Sequence, residues 1–284
     1  MSFRNTIDPT VGKVRKNAGK VYESTPSQQI IEVVKPQLMR VGGKQRGIES
    51  GEAIADTKTA LQSRIFIGFS GNSLTSDMGF SKDITTTATV SSTQKKFGSN
   101  SLYFSGSQNA SFNISVNKSL QNASTFSIIC WTYFATFTGS YGGPFASWQS
   151  TGGANDQFIY FNNAGGTPTQ PTWGVRVSGT NNFYECYANS GTWIVNQWQL
   201  NICEYDNTNK KIRLFIDNNL CQETTFVGTP NLGENFGLGG YNVGNNQTLT
   251  NMTGYLDEFC ILSGNTTQSE RDWLWNSGNG NSLV

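Results

Sequence analysis

The 284-residue sequence predicts an all-β protein: two antiparallel sheets stacked face to face, one short helix near the C-terminus and an extended N-terminal arm. Three observations carry this. From residue 65 onward, short apolar runs with the two-residue period of strands are separated by Gly, Asn, Ser and Asp turn signals. No helical period lies between those runs, so the strands are expected to pair antiparallel rather than through helical crossovers. The composition agrees: 31 Gly and 35 aromatics (18 Phe, 10 Tyr, 7 Trp), with only 14% charged residues, suit strands and turns better than helices.

The arm comes first along the chain. The net charge of +1 divides into eleven Lys/Arg against six Asp/Glu in residues 1–64 (+5) and nine against thirteen in residues 65–284 (−4). The arm holds two aromatics, Phe3 and Tyr22; the other 33 lie downstream. A segment so poor in large apolar side chains buries too little surface to offset its own ordering entropy, so it is expected to become ordered along a partner. Lys13, Arg15, Lys16 and Lys20 form its basic cluster, and Ile30, Ile31 and Val33 mark an amphipathic stretch that reads as a short helix or as a strand added to a partner's sheet. The basic run is short and has no interleaved aromatic, which argues against nucleic acid. The sequence VGGKQRG at 41–47 reads as a flexible crossing, and residues 49–63 as a weak helix with Ile54 and Leu61 on one face.

The body offers strand candidates at 65–69, 102–104, 112–116, 126–134, 157–161, 173–177, 183–187, 198–203, 212–216 and 255–262. Residues 267–276 form the expected helix, opened by a Thr267-x-x-Glu270 capping box and stopped near Gly278. No apolar run is long enough to span a bilayer, and the first residues lack the apolar core of a secretory signal. The five cysteines, an odd number without a CxxC pair, are expected to be small buried thiols in a protein kept in a reducing compartment.

Read in order, IGFSG (67–71), KFGSNSLYFSGS (96–107), TFSIICW (125–131), NQW (196–198), KIRLFIDN (211–218), GLGG (237–240), GYLDEFCIL (254–262) and TQSE (267–270) resemble the laminin-G-like, concanavalin A-like jelly-roll superfamily. The resemblance covers residues 65 to about 280, and its terminal Gly-x-x-Asp-Glu strand with the following helix is its most specific part. It implies a jelly-roll sandwich over 65–284. Versions with the KFGSxSLYF-type run belong to virion proteins of bacteriophages and other viruses. Joined to the basic arm, this implies a structural virion protein: a capsid decoration, cement or fibre component, assembled in the host cytoplasm. It would be anchored on the major capsid protein or another virion protein through residues 1–64, as a homo-oligomer or in several copies per particle. The alternative is a carbohydrate-binding host-recognition module of a phage fibre that takes host surface glycans.

Chemistry narrows the field further. Without histidine, Ser-His-Asp and Cys-His nucleophile systems are excluded and zinc is disfavoured. Relatives of this jelly roll include glycosidases that present two carboxylates on one strand at two-residue spacing. Here Asp257 and Glu258 are adjacent, which on a regular strand turns them to opposite faces, while Glu204 and Asp206 read as solvated carboxylates beside a turn. No catalytic residue is therefore assigned. For sugar binding the candidates are Trp148, Asn155, Asp156, Trp173, Tyr184 and Trp193, aromatic rings with amide and acid neighbours, each alternatively a core residue. The resemblance also implies calcium as the one possible cofactor, with Asp77 and Asp257 as candidate ligands and the alternative that Asp257 braces the last strand.

Overall fold

The computed structural model describes residues 16–17, 20–23, 31–33, 38–41, 44–47, 51–75, 78–79, 85–86, 88–106, 110–113, 123–137, 142–148, 157–164, 167–177, 182–228, 230, 235–239, 242–243, 247–248 and 252–284. The chain divides into two units, Met1–Asp56 and Thr57–Val284.

In the first unit β1 (Lys16–Asn17), β2 (Lys20–Glu23) and β3 (Ile31–Val33) form a three-stranded antiparallel sheet, and β4 (Leu38–Val41) pairs with β5 (Lys44–Gly47). The amphipathic stretch is thus a strand where it is described. Of the run read as a flexible crossing, Val41 and Lys44–Gly47 lie instead on paired strands, Val41 opposite Lys44. Lys16, Lys20, Ile31 and Val33 lie on these strands; Lys13, Arg15 and Ile30 lie outside the described residues.

The second unit begins within α1 (Gly51–Gln62). Along the chain there follow β6 (Ile65–Phe69), β7 (Met78–Gly79), β8 (Thr85–Thr86), β9 (Thr89–Ser91), β10 (Ser101–Ser105), β11 (Ala110–Asn113), β12 (Thr125–Thr136), β13 (Phe145–Trp148), β14 (Gln157–Ala164), β15 (Thr167–Arg176), β16 (Phe183–Tyr187), β17 (Trp198–Asp206), β18 (Lys211–Ile216), β19 (Asn219–Thr225), β20 (Asn235–Leu238), β21 (Asn242–Val243), β22 (Gln247–Thr248), β23 (Thr253–Ser263) and α2 (Gln268–Trp275).

Among the described residues, a nine-stranded sheet runs β19-β18-β17-β12-β23-β10-β9, with β6 and β7 beside the second half of β23, and a seven-stranded sheet runs β16-β15-β14-β13-β20-β11-β8. All these pairings are antiparallel, the sandwich that the strand period predicts. Alternate residues of both sheets meet in one core. Phe145 is its hub, with Phe161, Trp173, Phe236 and Phe259 at ring-centroid distances of 5.6, 6.1, 6.2 and 5.9 Å.

A second apolar layer lies on the outer face of the nine-stranded sheet, where Ile129, Trp131, Leu200, Ile202, Phe215, Cys260 and Leu262 are covered by Leu61 of α1, Leu274 of α2 and Leu283. This is why TFSIICW is apolar without alternation: both faces of β12 are buried. The predicted helix begins with a complete capping box, Thr267 accepting from the Glu270 N–H and Glu270 from the Thr267 N–H. Trp275 of α2 stacks on Trp131 at 5.9 Å, and Lys96 sits 4.1 Å from the Trp131 ring while donating to the Gly278 carbonyl. Four cysteines are buried and Cys221 is half-buried; all five are free thiols, and burial raises the pKa of each, that of Cys186 to about 11.

Candidate functional site

The outer face of the seven-stranded sheet carries a convergence of polar and aromatic groups. Ile159, Phe161, Trp173, Val175 and Cys186 point into the core, so the period of two turns their neighbours outward. Register then aligns them: Tyr160 of β14, Gly174 of β15 and Glu185 of β16 lie side by side, Asn162, Thr172 and Tyr187 form the next row, and Arg176 pairs with Phe183. Gly174 is required, since a Cβ there would sit 2.3 Å from the Tyr160 ring, which lies across it. The Tyr160 and Tyr187 hydroxyls each donate to one oxygen of the Glu185 carboxylate. The Arg176 guanidinium is 4.9 Å from the centre of the Phe183 ring, which also meets Tyr160 edge-on at 6.2 Å.

Exposure grades across the cluster. Phe183 and Tyr187 on the edge strand expose 47% and 40%, whereas Tyr160, Asn162, Thr172 and Arg176 are buried. The Thr172 hydroxyl is buried with no hydrogen-bond partner among the described residues. A buried orphan hydroxyl costs stability, so it marks a place where the fold retains a polar atom that packing alone does not use. The exposed Phe183 and Tyr187 rings and the half-buried Glu185 carboxylate, backed by the buried Tyr160 and Arg176, form the kind of surface that suits a hydroxyl-rich ligand with apolar faces.

The residues proposed from sequence for sugar binding fall elsewhere. Trp173 and Trp193 are fully buried in the core between the sheets, their indole N–H groups donating to the Glu204 carbonyl and to Asn201 Oδ1, both at 3.1 Å. A ring with both faces packed cannot stack on a sugar, so these two are corrected to core residues. Tyr184 is half-buried against the core, 6.3 Å from Phe226. Trp148 is on β13, paired with Asn235; its side chain, like Asn155, Asp156 and Asp77, lies outside the described residues.

The carboxylates expected to be solvated or split across the sheet are instead buried struts. Glu204, 2% exposed, accepts from the N–H and hydroxyl of Thr266 at 2.9 and 2.6 Å and faces Arg213 and Arg271 at 3.4 and 3.6 Å, tying α2 to the sheet. Asp206, also buried, caps its own turn through the Asn209 N–H and side-chain amide. Asp257 and Glu258 do not point to opposite faces. Ile129 pairs with Cys260 but Trp131 with Asp257, a bulge in which Glu258 takes φ 51°, and both side chains emerge on the outer face.

There Asp257 accepts from the N–H groups of Lys96, Phe97 and Glu258 at 2.8, 3.0 and 2.9 Å. Glu258 accepts from those of Leu283 and Val284, both at 2.7 Å, and from the Ser282 hydroxyl at 3.0 Å. Burial raises the Asp257 carboxyl to about 6 and Glu258 to about 7, against the opposing pull of those N–H donors. With its lone pairs directed at backbone N–H groups, Asp257 braces the last strand and does not present itself as a calcium ligand. Among the described residues no cluster of acids and thiols has the makings of a metal site.

Comparison with known proteins follows the same lines. The model of the concanavalin A-like lectin/glucanases superfamily, Laminin_G_3, matches residues 104–270. The botulinum neurotoxin serotype D ligand-binding domain in complex with N-acetylneuraminic acid superposes with a TM-score of 0.60 at 11% identity, over 78% of this chain and 53% of that one. Domain 4 of AbnA, a GH43 extracellular arabinanase from Geobacillus stearothermophilus, in complex with arabinotriose, gives 0.54 at 16% identity, over 73% of this chain and 96% of that one. The botulinum neurotoxin DC binding domain in complex with rat synaptotagmin II gives 0.56 at 12% identity, over 76% and 52%. The chain thus spans about half the length of the toxin domains it matches. No curated protein sequence matches it.

Proposed function

The chain belongs to the concanavalin A-like lectin/glucanase superfamily, and on that premise we propose that its sandwich is a non-catalytic carbohydrate-binding module whose site is the Tyr160, Arg176, Glu185 and Tyr187 cluster. The carrying observation is the alignment by register of two phenols, a carboxylate and a guanidinium beside the exposed Phe183 ring. Glu185 holds both phenols by their protons, which leaves the phenol oxygens to accept from sugar hydroxyls while the Phe183 face packs on the ring's C–H groups. Similar folds solved with N-acetylneuraminic acid and arabinotriose support a sugar ligand. A non-catalytic reading is favoured because Glu204, Asp257 and Glu258 are all committed to holding backbone and helix in place. The test is a glycan array probed with the full chain: binding that falls at least tenfold in Tyr187→Ala and Glu185→Gln supports the site, and undiminished binding in both removes it.

A second reading rests on the charge split. The +5 segment before residue 65, poor in aromatics, suits an anchor on an acidic partner, and the module would then be displayed on a particle such as a virion, with host surface glycans as its targets. Residues 1–56 hold nine of the eleven Lys/Arg of that segment. Particles assembled with a chain lacking them would carry none of it if the anchor lies there; full occupancy would refute the anchoring role.

A further inference from the structure

The opposite sheet carries a second aromatic array. Trp198 of β17, Tyr133 of β12, Tyr255 of β23 and Tyr103 of β10 stand on four consecutive strands, and each is the direct register partner of the next. Their ring centroids are 5.6, 5.8 and 4.9 Å apart, so they form one unbroken row across the outer face of the nine-stranded sheet. Cross-strand aromatic pairs stabilise any sheet, and by itself the row is compatible with that role alone.

What sets it apart is the contrast between its two flanks. Two residues further along these strands, toward α2, lie Ser101, Asp257, Trp131 and Leu200, all buried beneath Lys96, Phe97, Trp275 and their neighbours. On the other flank Ser105, Ala135, Thr136 and Asn196 are exposed and Thr253 is half-buried. The row is therefore the riser of a step: a covered layer above, a tread of small side chains below. Ile194 and Val195, shortly before Trp198 in the chain, are 45% and 41% exposed, and Val195 bridges to Phe134 of β12. The Tyr133 hydroxyl meets Asn196 Oδ1 at 3.3 Å, and the buried Trp198 indole N–H has no acceptor among the described residues.

Tyr255 is buried within the row, while Tyr103, Tyr133 and Trp198 are half-buried beside the tread. We propose that this step is a second binding site, for an extended neutral oligosaccharide lying on the tread against the open edges of Tyr103, Tyr133 and Trp198. The ring spacing, set by the spacing of strands, is close to the repeat of pyranose units in an extended chain. The tread carries hydroxyl and amide groups and no formal charge among its described residues, which matches a neutral, hydroxyl-rich ligand and not an ionic one. The inference does not depend on the Glu185 cluster, which lies on the other sheet.

The experiment titrates the full chain with cellohexaose, xylohexaose and mannohexaose by calorimetry, alongside the variants Thr136→Arg and Ser105→Arg, which place bulky cations on the exposed tread without touching a buried residue, and Tyr133→Thr, which removes one ring. Saturable binding of at least one hexasaccharide, weakened tenfold or more by either arginine and unaffected by Glu185→Gln, is the expected result. Trisaccharides should bind at least fivefold more weakly than the hexasaccharide. Absence of binding to all three hexasaccharides, or binding retained within twofold in both arginine variants, overturns the proposal. So does a concentration-dependent dimer of the wild type, seen by sedimentation, that Thr136→Arg dissolves, because a second copy would then be the occupant. Loss of array binding in Glu185→Gln with hexasaccharide binding intact would report on the other site alone.

Discussion

At the scale of single residues, Asp257 and Glu258 show how one backbone distortion changes the meaning of a dipeptide. A regular strand separates adjacent side chains, but the bulge at Glu258 brings both to the outer face, where each collects backbone N–H groups from distant segments. Their carboxyls are raised to about 6 and about 7 from 3.8 and 4.5, so the folded protein binds protons that the unfolded chain releases between about pH 4 and pH 7. Each group's ionisation therefore lowers stability as pH rises through that window. At about 1.4 kcal/mol per pKa unit, Glu258 alone is worth about 3 kcal/mol across it. The melting temperature is expected to fall between pH 5 and pH 8, and Glu258→Gln to flatten part of that slope in a thermal melt series. Thr172 gives a second prediction at this scale. Since its buried hydroxyl has no partner among the described residues, Thr172→Val should stabilise the protein by about 1 kcal/mol in a denaturant melt.

At the scale of elements, the edge between the two sheets is closed by side chains. The β16 edge strand would present bare ladder groups, but Gln222 Oε1 of β19 accepts from the Tyr187 N–H at 2.6 Å and the Thr224 hydroxyl donates to the Glu185 carbonyl at 2.7 Å. The same two bonds hold the strand that bears the candidate site. The double variant Gln222→Ala, Thr224→Val is expected to expose that edge, raising self-association in light scattering and weakening glycan binding together. The helix α2 was the most legible element, because a Thr-x-x-Glu box is a local signal that depends on four consecutive residues. Strand existence was legible from period, though β19, half-exposed and polar, gave little period to see.

At the scale of the whole molecule, the boundary between the two units lies within α1. Leu61 is completely buried under the second apolar layer, and the Gln62 side chain donates to the Leu283 carbonyl at 2.9 Å. A chain of residues 57–284 should therefore unfold cooperatively, while one of residues 65–284 loses the buried leucine and should be less stable by about 2–4 kcal/mol in urea melts. Equal stability of the two would mean that α1 contributes nothing to the layer. A domain division drawn at residue 64, where charge and aromatic content change, follows composition; the division by packing follows the last residue that fills the core.

The sequence by itself determined the sheet class, the capped helix, the family and the unequal character of the two ends, because each of these depends on residue type, local spacing or order along the chain. It could not separate Trp173 and Trp193, which are core, from Phe183 and Tyr187, which are exposed, since aromatic residues in strands look alike until the second sheet covers one face of them. Nor could it show Glu204 as a buried strut, because its partners Thr266 and Arg271 are more than sixty residues away in the chain. Only the tertiary structure decided which face each residue serves. A strand's period assigns residues to two sides, and it is the packing of distant segments that makes one side core and leaves the other to a ligand.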